Sequence, residues 1–127
     1  DNKKVILISQ VPNFYFENNR TSIDQFYFKY DRMPNSSELM NLEREKFNLV
    51  PNSVEKIDSI LNLIAKKNNI KIFNRKSLFC EESDEKCFIL TSQNEKINID
   101  SDHLSVAGAK FVGRRIFNLN WLDLNHD

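Results

Sequence analysis

The sequence predicts an α/β fold with a parallel sheet, and three successive stretches support this prediction. Lys3 to Gln10 is a nearly continuous run of β-branched and aliphatic residues, which is typical of a strand buried on both faces. Ser53 to about Asn68 has apolar residues at helical spacing, and Ile70 to Phe73 is a second short apolar strand. Because strand, helix and strand follow one another, we expect a right-handed parallel crossover between the two strands.

The stretch from Phe14 to Met33 contains many aromatic side chains among Asn, Arg and Asp, and it has no clean helical or strand period. Aromatic rings in such number could line a pocket for a glycan or an acyl chain, because rings stack on sugar faces and pack against chains. Alternatively, they could fill a local core beneath a long loop. The sequence favours this second interpretation.

Two helices are predicted between the strands. The first begins at Ser36 or Ser37, whose hydroxyls are favourable N-caps, and runs to about Phe47. Its predicted buried positions are Leu39, Leu42 and Phe47. The second is the helix from Ser53, preceded by Asn52 with Glu55 at the spacing of a capping box. Its predicted buried stripe consists of Val54, Ile57, Leu61 and Ile64.

A closing helix is predicted from Ser105, a favourable N-cap, to about Asn120. Gly108 and Gly113 each cost about 1 kcal/mol relative to Ala inside a helix, and glycine there often marks close packing. The predicted buried face of this helix consists of Ala109, Val112, Ile116 and Leu119. The residues expected to dock the C-terminal tail are Trp121, Leu122 and Leu124.

One stretch combines a titratable base, carboxylates and a helix start, namely residues 100–109. His103 is one of two histidines, and the other, His126, lies next to the C-terminus. A histidine that acts as a general base near neutral pH needs a carboxylate to fix its tautomer and to stabilise the imidazolium. Asp100 precedes His103 by three residues and Asp102 by one. The same residue types are common in ordinary caps and turns, so the spacing alone leaves a purely structural role open.

Composition and charge exclude several classes of protein. At 127 residues the chain is at most one ordinary domain, with one hydrophobic core. Its 18 Lys and Arg residues balance 18 Asp and Glu residues without a basic stripe, which disfavours nucleic-acid binding. No apolar run has the length needed to cross a bilayer.

Because the chain begins at Asp1 without Met or a signal-peptide pattern, we expect a processed or excised piece of a longer protein.

Cys80 and Cys87 enclose a mostly acidic segment of six residues. They could close this segment as a disulfide, which would indicate an oxidising compartment. They could also be reduced thiols in a cytosolic chain, because two cysteines do not define a disulfide framework. The spacing is not that of a usual zinc knuckle. From the spacing alone, both the disulfide and the free thiols remain open.

The segment DSDHLSVAGA, residues 100–109, resembles the last motif of the SGNH (GDSL-like) hydrolases and acyltransferases. The resemblance is closest to SGNH domains fused behind an acyltransferase-3 membrane domain, whose pattern is roughly Asp-x-Asp-His-Leu-Ser-x-x-Gly-Ala. The segment VILISQVP, residues 5–12, is similar to the Val-rich strand and Val-Pro turn of that subgroup. The resemblance implies a three-layer, flavodoxin-like fold with a parallel sheet, of which residues 1–127 form the C-terminal portion of a single domain.

By this resemblance His103 is the general base and Asp100 orients it, while Asp102 is a local turn residue. The subgroup often has a Cys-rich loop before its Asp-x-x-His motif, which implies a disulfide between Cys80 and Cys87. The implied activity is transfer or removal of acyl groups, above all acetyl groups, on a bacterial cell-surface polysaccharide by a Ser-His-Asp acyl-enzyme mechanism. That mechanism requires neither a metal nor another cofactor.

The resemblance also implies partners and a location. The implied partners are a cell-surface glycan, an acyl donor and an N-terminal transmembrane acyltransferase domain in the parent chain, and nucleic acid is not among them. The implied location is extracytoplasmic, on the periplasmic or cell-surface side, with the parent protein tethered to the membrane.

The nucleophile is the part of the chemistry that the sequence lacks. In the SGNH family the nucleophilic Ser lies in a Gly-Asp-Ser motif after the first strand, and a Gly and an Asn farther on complete the oxyanion hole. This chain has no Gly-Asp-Ser and no Gly before Gly108. Ser9 ends the first predicted strand, but Ile8 and Gln10 are not the small neighbours that admit a substrate. We therefore expect the nucleophilic Ser in an upstream segment.

Two other interpretations remain. The chain could be a catalytically inactive SGNH-like module that binds a glycan or has a structural role. A weaker alternative is a cytosolic redox or metal protein built on Cys80, Cys87 and His103.

Overall fold

The computed structural model describes residues 5–10, 12, 14, 18, 20–49 and 52–121. The strand β1 (Ile6–Ile8) pairs in parallel with β2 (Lys71–Phe73), in a register that places Leu7 opposite Ile72. The helix α3 (Asn52–Lys67) precedes β2 and packs against it. The predicted α/β class and the parallel pairing are therefore confirmed. The predicted docking of Leu122 and Leu124 lies outside the described residues, as does His126.

The prediction that the first strand is buried on both faces is wrong for the described residues. Val5 is 59% exposed and Ile8 is 55% exposed. Within the described part of the chain β1 has a hydrogen-bonded neighbour on one edge only, which is β2. With one described neighbouring strand, β1 lies at the edge of the pair, so part of its apolar run faces solvent.

The described residues between β1 and α3 form two α-helices. The helix α1 (Ser22–Tyr30) begins after Thr21, whose side chain accepts a hydrogen bond from the Asp24 N–H. The helix α2 (Ser36–Asn48) is capped by Asn35 in a complete capping box with Glu38, so the expected caps at Ser36 or Ser37 are wrong by one residue or two. The stretch that forms α1 shows no clear period in the sequence because most of its aromatic side chains are exposed.

The disulfide hairpin consists of the antiparallel strands β3 (Cys80–Glu81) and β4 (Lys86–Cys87), and a short 3₁₀ helix, Arg75–Leu78, leads into it. The last helix is α4 (Val106–Asn118), for which Ser105 is the N-cap as predicted. The main core lies between β2, this hairpin and α4. Its buried side chains are Phe14, Val54, Phe73, Leu78, Phe79, Cys80, Cys87, Ile97 and Trp121.

The predicted stripes of α3 and α4 are each partly wrong. In α3, Ala65 is buried whereas Ile64 is 44% exposed. In α4, Gly108 is buried, and Phe111 packs on the core together with Val112 and Ile116, whereas Ala109 and Leu119 are exposed. The buried face of each helix is thus rotated from the predicted one, because its packing partners rather than its own period determine its orientation.

Candidate active site

Asp100 holds a tight turn together before α4. Its Oδ1 accepts the backbone N–H groups of Asp102, at 2.9 Å, and of His103, at 2.8 Å. The Nδ1 atom of His103 lies 2.9 Å from Oδ1 and 3.0 Å from Oδ2 of the same carboxylate. The predicted Asp-His pair is therefore brought together by one side chain that binds both the backbone and the imidazole.

This geometry fixes the chemistry of the imidazole. An ionised carboxylate only accepts hydrogen bonds, so Nδ1 of His103 must donate, and in the neutral ring Nε2 then has the free lone pair. The N–H of Asp102 and then the side chain of His103 lower the pKa of Asp100 below its usual value. The side chain of His103 is 74% exposed. The ring is thus oriented for proton abstraction through Nε2 and is open to a reacting group.

Short-range backbone bonds close the segment around the Asp-His turn, which we define as residues 99–103. The Ile99 N–H donates to the His103 carbonyl at 2.9 Å, and the Ser105 N–H donates to the Ile97 carbonyl at 2.9 Å. The Ser105 hydroxyl donates to the Lys96 carbonyl and accepts the Gly108 N–H at 2.9 Å. The turn is therefore anchored on both sides before the helix begins.

Gly108 allows α4 to start this close to the turn. A Cβ atom added at Gly108 would lie 2.0 Å from the Ile97 carbonyl oxygen, which is far inside van der Waals contact. At Gly113 an added Cβ would meet nothing within 4 Å. The close packing expected for both glycines is thus confirmed for Gly108 and wrong for Gly113.

A buried lysine on α2 contacts the residue before the Asp-His turn, and this lysine was not predicted from the sequence. Lys46 is 1% exposed, and its Nζ donates to the Phe88 carbonyl at 2.7 Å and to Asn98 Oδ1 at 2.9 Å. The ammonium also lies 4.3 Å from the centroid of the Phe14 ring. Asn98 forms an isolated bridge with Leu104. Lys46 therefore ties α2 to the base of the Asp-His turn.

Burial lowers the pKa of Lys46 to about 7, against a small opposing effect of Glu43. A signal for this lysine is present in the sequence, since Lys46 follows Leu39 and Leu42 at the i, i+3, i+7 spacing of a buried helical face. Lysine at such a position is usually exposed, so the sequence pattern favours Phe47 rather than Lys46 as the last buried position.

Cys80 and Cys87 form the predicted disulfide, with an S–S distance of 2.00 Å and a Cα–Cα distance of 3.9 Å across the hairpin. The structure therefore has no free thiol among its described residues, and the metal interpretation loses the two thiolate ligands that it needs. Among the residues that the structure describes, no group of three or more His, Cys, Asp or Glu side chains is placed to hold a metal ion.

Ser9 is buried, and its Oγ accepts the Arg75 N–H at 2.7 Å. The hydroxyl therefore links the end of β1 to the segment after β2. This structural use of the side chain further disfavours Ser9 as the nucleophile.

The parallel pair β1 and β2, with an Asp-His pair just before the last helix, defines an α/β domain that holds a candidate general base. The family model described as an SGNH domain (fused to AT3 domains) matches residues 1–118. The chain therefore belongs to this SGNH family, as the motif at residues 100–109 predicted. No curated protein and no solved structure is significantly similar to it.

The family description associates the chain with acyltransferases and with a membrane acyltransferase partner domain. Within residues 5–121, apart from the gaps given above, no helix has the length and apolarity to cross a bilayer.

Proposed function

We propose that the chain is the C-terminal portion of an SGNH domain that transfers or removes acyl groups, above all acetyl groups, on a bacterial cell-surface polysaccharide. The observation that supports this proposal is the Asp100–His103 pair, since both carboxylate oxygens lie within 3.0 Å of Nδ1. An imidazole held in this way, with Nε2 free, is what a serine nucleophile requires of its base.

In the proposed mechanism the nucleophilic Ser comes from an upstream segment of the parent chain. Nε2 of His103 removes its hydroxyl proton while Oγ attacks the carbonyl carbon of an acyl donor. The imidazolium, stabilised by Asp100, then protonates the leaving group, and an acyl-enzyme remains. A sugar hydroxyl or water next gives its proton to Nε2 and attacks the acyl carbon. The imidazolium then returns this proton to Ser Oγ as the bond between Oγ and the acyl carbon breaks, which restores the Ser and the neutral imidazole. No metal or cofactor takes part in these steps.

Exposed apolar side chains support the existence of such an upstream portion. On α3, Ile60 is 56% and Leu63 is 68% exposed, and Val5 and Ile8 are exposed on β1 or next to it, where the described residues pair with one edge of the strand only. Exposed apolar side chains, together with a strand edge that no described residue pairs with, are unusual on a domain that folds alone. Packing of the upstream strands and helices against this surface would cover both features.

The proposed setting is extracytoplasmic, beside a transmembrane acyltransferase domain in the same parent chain. The Cys80–Cys87 disulfide supports this location, because such bonds persist in oxidising compartments. The proposed partners are the acceptor glycan and an acyl donor.

The test uses the full-length natural protein and p-nitrophenyl acetate as an activated ester. We expect His103→Gln to lower kcat/KM by about 10³-fold or more, since the base is lost. Asp102→Asn is the matched control, because the Asp102 side chain is exposed and only its N–H contacts Asp100. Activity retained in His103→Gln, or lost equally in Asp102→Asn, would contradict the proposal.

The second candidate is a catalytically inactive, glycan-binding SGNH-like module. The exposure of Tyr27 and Phe28 on α1 favours a binding surface of this kind. A full-length natural chain without a Ser in the position of the upstream nucleophile would select this candidate.

A further inference from the structure

An open groove on α1 lies next to the Asp-His turn. This α1 groove has a volume of about 560 Å³ and is lined by Arg20, Asp24, Tyr27, Phe28, Asp31 and Ile99. Phe28 is 78% exposed and Tyr27 is 50% exposed, so two aromatic rings of the groove face solvent. By contrast, Phe14, in the same aromatic stretch of the sequence, is fully buried in the core. The aromatic stretch thus contributes side chains both to the core and to the surface.

The groove is held in place by contacts on both of its sides. The Nζ atom of Lys96 lies 2.7 Å and 2.6 Å from the two carboxylate oxygens of Asp24, which joins α1 to the segment that leads into the Asp-His turn. The guanidinium of Arg20 lies 5.0 Å from the centroid of the Phe28 ring. On its inner side α1 is anchored by Ile23, which is buried among Ile89 and Leu90. The exposed rings are therefore fixed on a packed helix.

The mixture of groups in the α1 groove fits a carbohydrate. A pyranose ring presents C–H groups on its faces, which pack on aromatic rings, and hydroxyls at its rim, which bond carboxylates and guanidinium groups. A purely apolar ligand would leave the charged rim unmatched. An anionic lipid surface would meet the carboxylates of Asp24 and Asp31 in the same groove.

We propose that the α1 groove is a carbohydrate subsite, in which Tyr27 and Phe28 pack against pyranose rings while Arg20 and Asp31 bond their hydroxyls. Its link to catalysis rests on the proposed function. Ile99 joins the two sites, since its side chain lines the groove and its N–H donates to the His103 carbonyl. A sugar in the groove would therefore contact the Asp-His turn through Ile99.

The experiment titrates the full-length natural protein, with ¹³C-labelled isoleucine methyl groups, with cellotetraose, chitotetraose and xylotetraose. We expect at least one tetrasaccharide to shift the Ile99 methyl signal saturably, with a Kd on the order of 1 mM. Phe28→Ala should weaken this binding at least about fivefold. The matched control is Phe117→Ala, because Phe117 is 81% exposed but lies on α4, where another groove surrounds it.

The outcomes separate this proposal from the proposed function. Absence of a saturable shift with all three sugars, or equal weakening in Phe117→Ala, overturns the subsite. A saturable Ile99 shift with soluble short-chain phosphatidylglycerol instead of sugars also overturns it and assigns the groove to lipid headgroups. His103→Gln should keep sugar binding and lose ester hydrolysis. Sugar binding with hydrolysis that does not depend on His103 refutes only the proposed function.

Discussion

The Asp-His turn and the Lys46 site both hold the same short segment, residues 96–104, and they do so by opposite means. In the turn a partly buried anion, Asp100, binds two backbone N–H groups within three residues of itself. At the other site a buried cation, Lys46, binds two neutral oxygens that lie 42 and 52 residues away in sequence. The first arrangement is local and tolerates water, whereas the second depends on the packing of the whole domain. Loss of the first should therefore change chemistry, and loss of the second should change stability.

The largest expected effect is a loss of activity when the carboxylate of the Asp-His turn is removed. Asp100→Asn should lower kcat/KM of the full-length natural protein for p-nitrophenyl acetate by about 10³- to 10⁴-fold, because an amide no longer selects the Nδ1–H tautomer. Thermal unfolding should show little change, since the amide oxygen of Asn still accepts the backbone N–H groups. If Asp100→Asn caused a large loss of stability and left the activity unchanged, Asp100 would have a structural role and not the chemical role assigned to it here.

The second prediction concerns the close approach of Gly108, on α4, to the Ile97 carbonyl. Gly108→Ala should destabilise the protein by about 1–3 kcal/mol in urea unfolding, since the new methyl group meets the Ile97 backbone carbonyl. Gly113→Ala is the matched control on the same helix and should stabilise the protein by about 1 kcal/mol, because its Cβ meets nothing. Equal effects of the two substitutions would show that helix propensity alone governs both positions.

The third prediction has the smallest expected effect, taken per pH unit, and concerns the buried cation, Lys46, through the pH dependence of the free energy of unfolding. In the unfolded chain Lys46 keeps its proton up to the ordinary lysine pKa of 10.5, whereas burial lowers the pKa in the folded state to about 7. Between these values the unfolded chain binds more protons, so this group makes the free energy of unfolding rise with pH, by at most about 1.4 kcal/mol per unit. Below about pH 7 the lysine is charged in both states, and its contribution to the slope vanishes.

Lys46→Met removes this titration and keeps most of the side-chain volume. The unfolding free energy of the natural protein, minus that of the variant, should therefore increase as the pH rises from 7 to 9 in urea titrations. A difference that stays constant over this range would show that Lys46 keeps the same protonation state in the folded and unfolded chains.

The same contrast explains how much could be predicted from the sequence. The Asp100–His103 pair and the Ser105 cap were predicted because their partners lie within a few residues, where spacing determines geometry. Lys46 was missed because its acceptors, Phe88 and Asn98, come next to it only through the fold. The buried face of α4 was predicted with the wrong rotation for the same reason, since the close approach of Gly108 to Ile97 sets that face.

The closed hydrogen bonding of residues 96–108 also has a consequence for assembly. All the bonds that orient the imidazole come from this one segment, so the conformational entropy of ordering it is already lost when the chain folds. In the proposed mechanism, the nucleophilic serine would then align with a single prearranged base rather than order it. This is the structural condition for a high effective concentration of the base at the nucleophile.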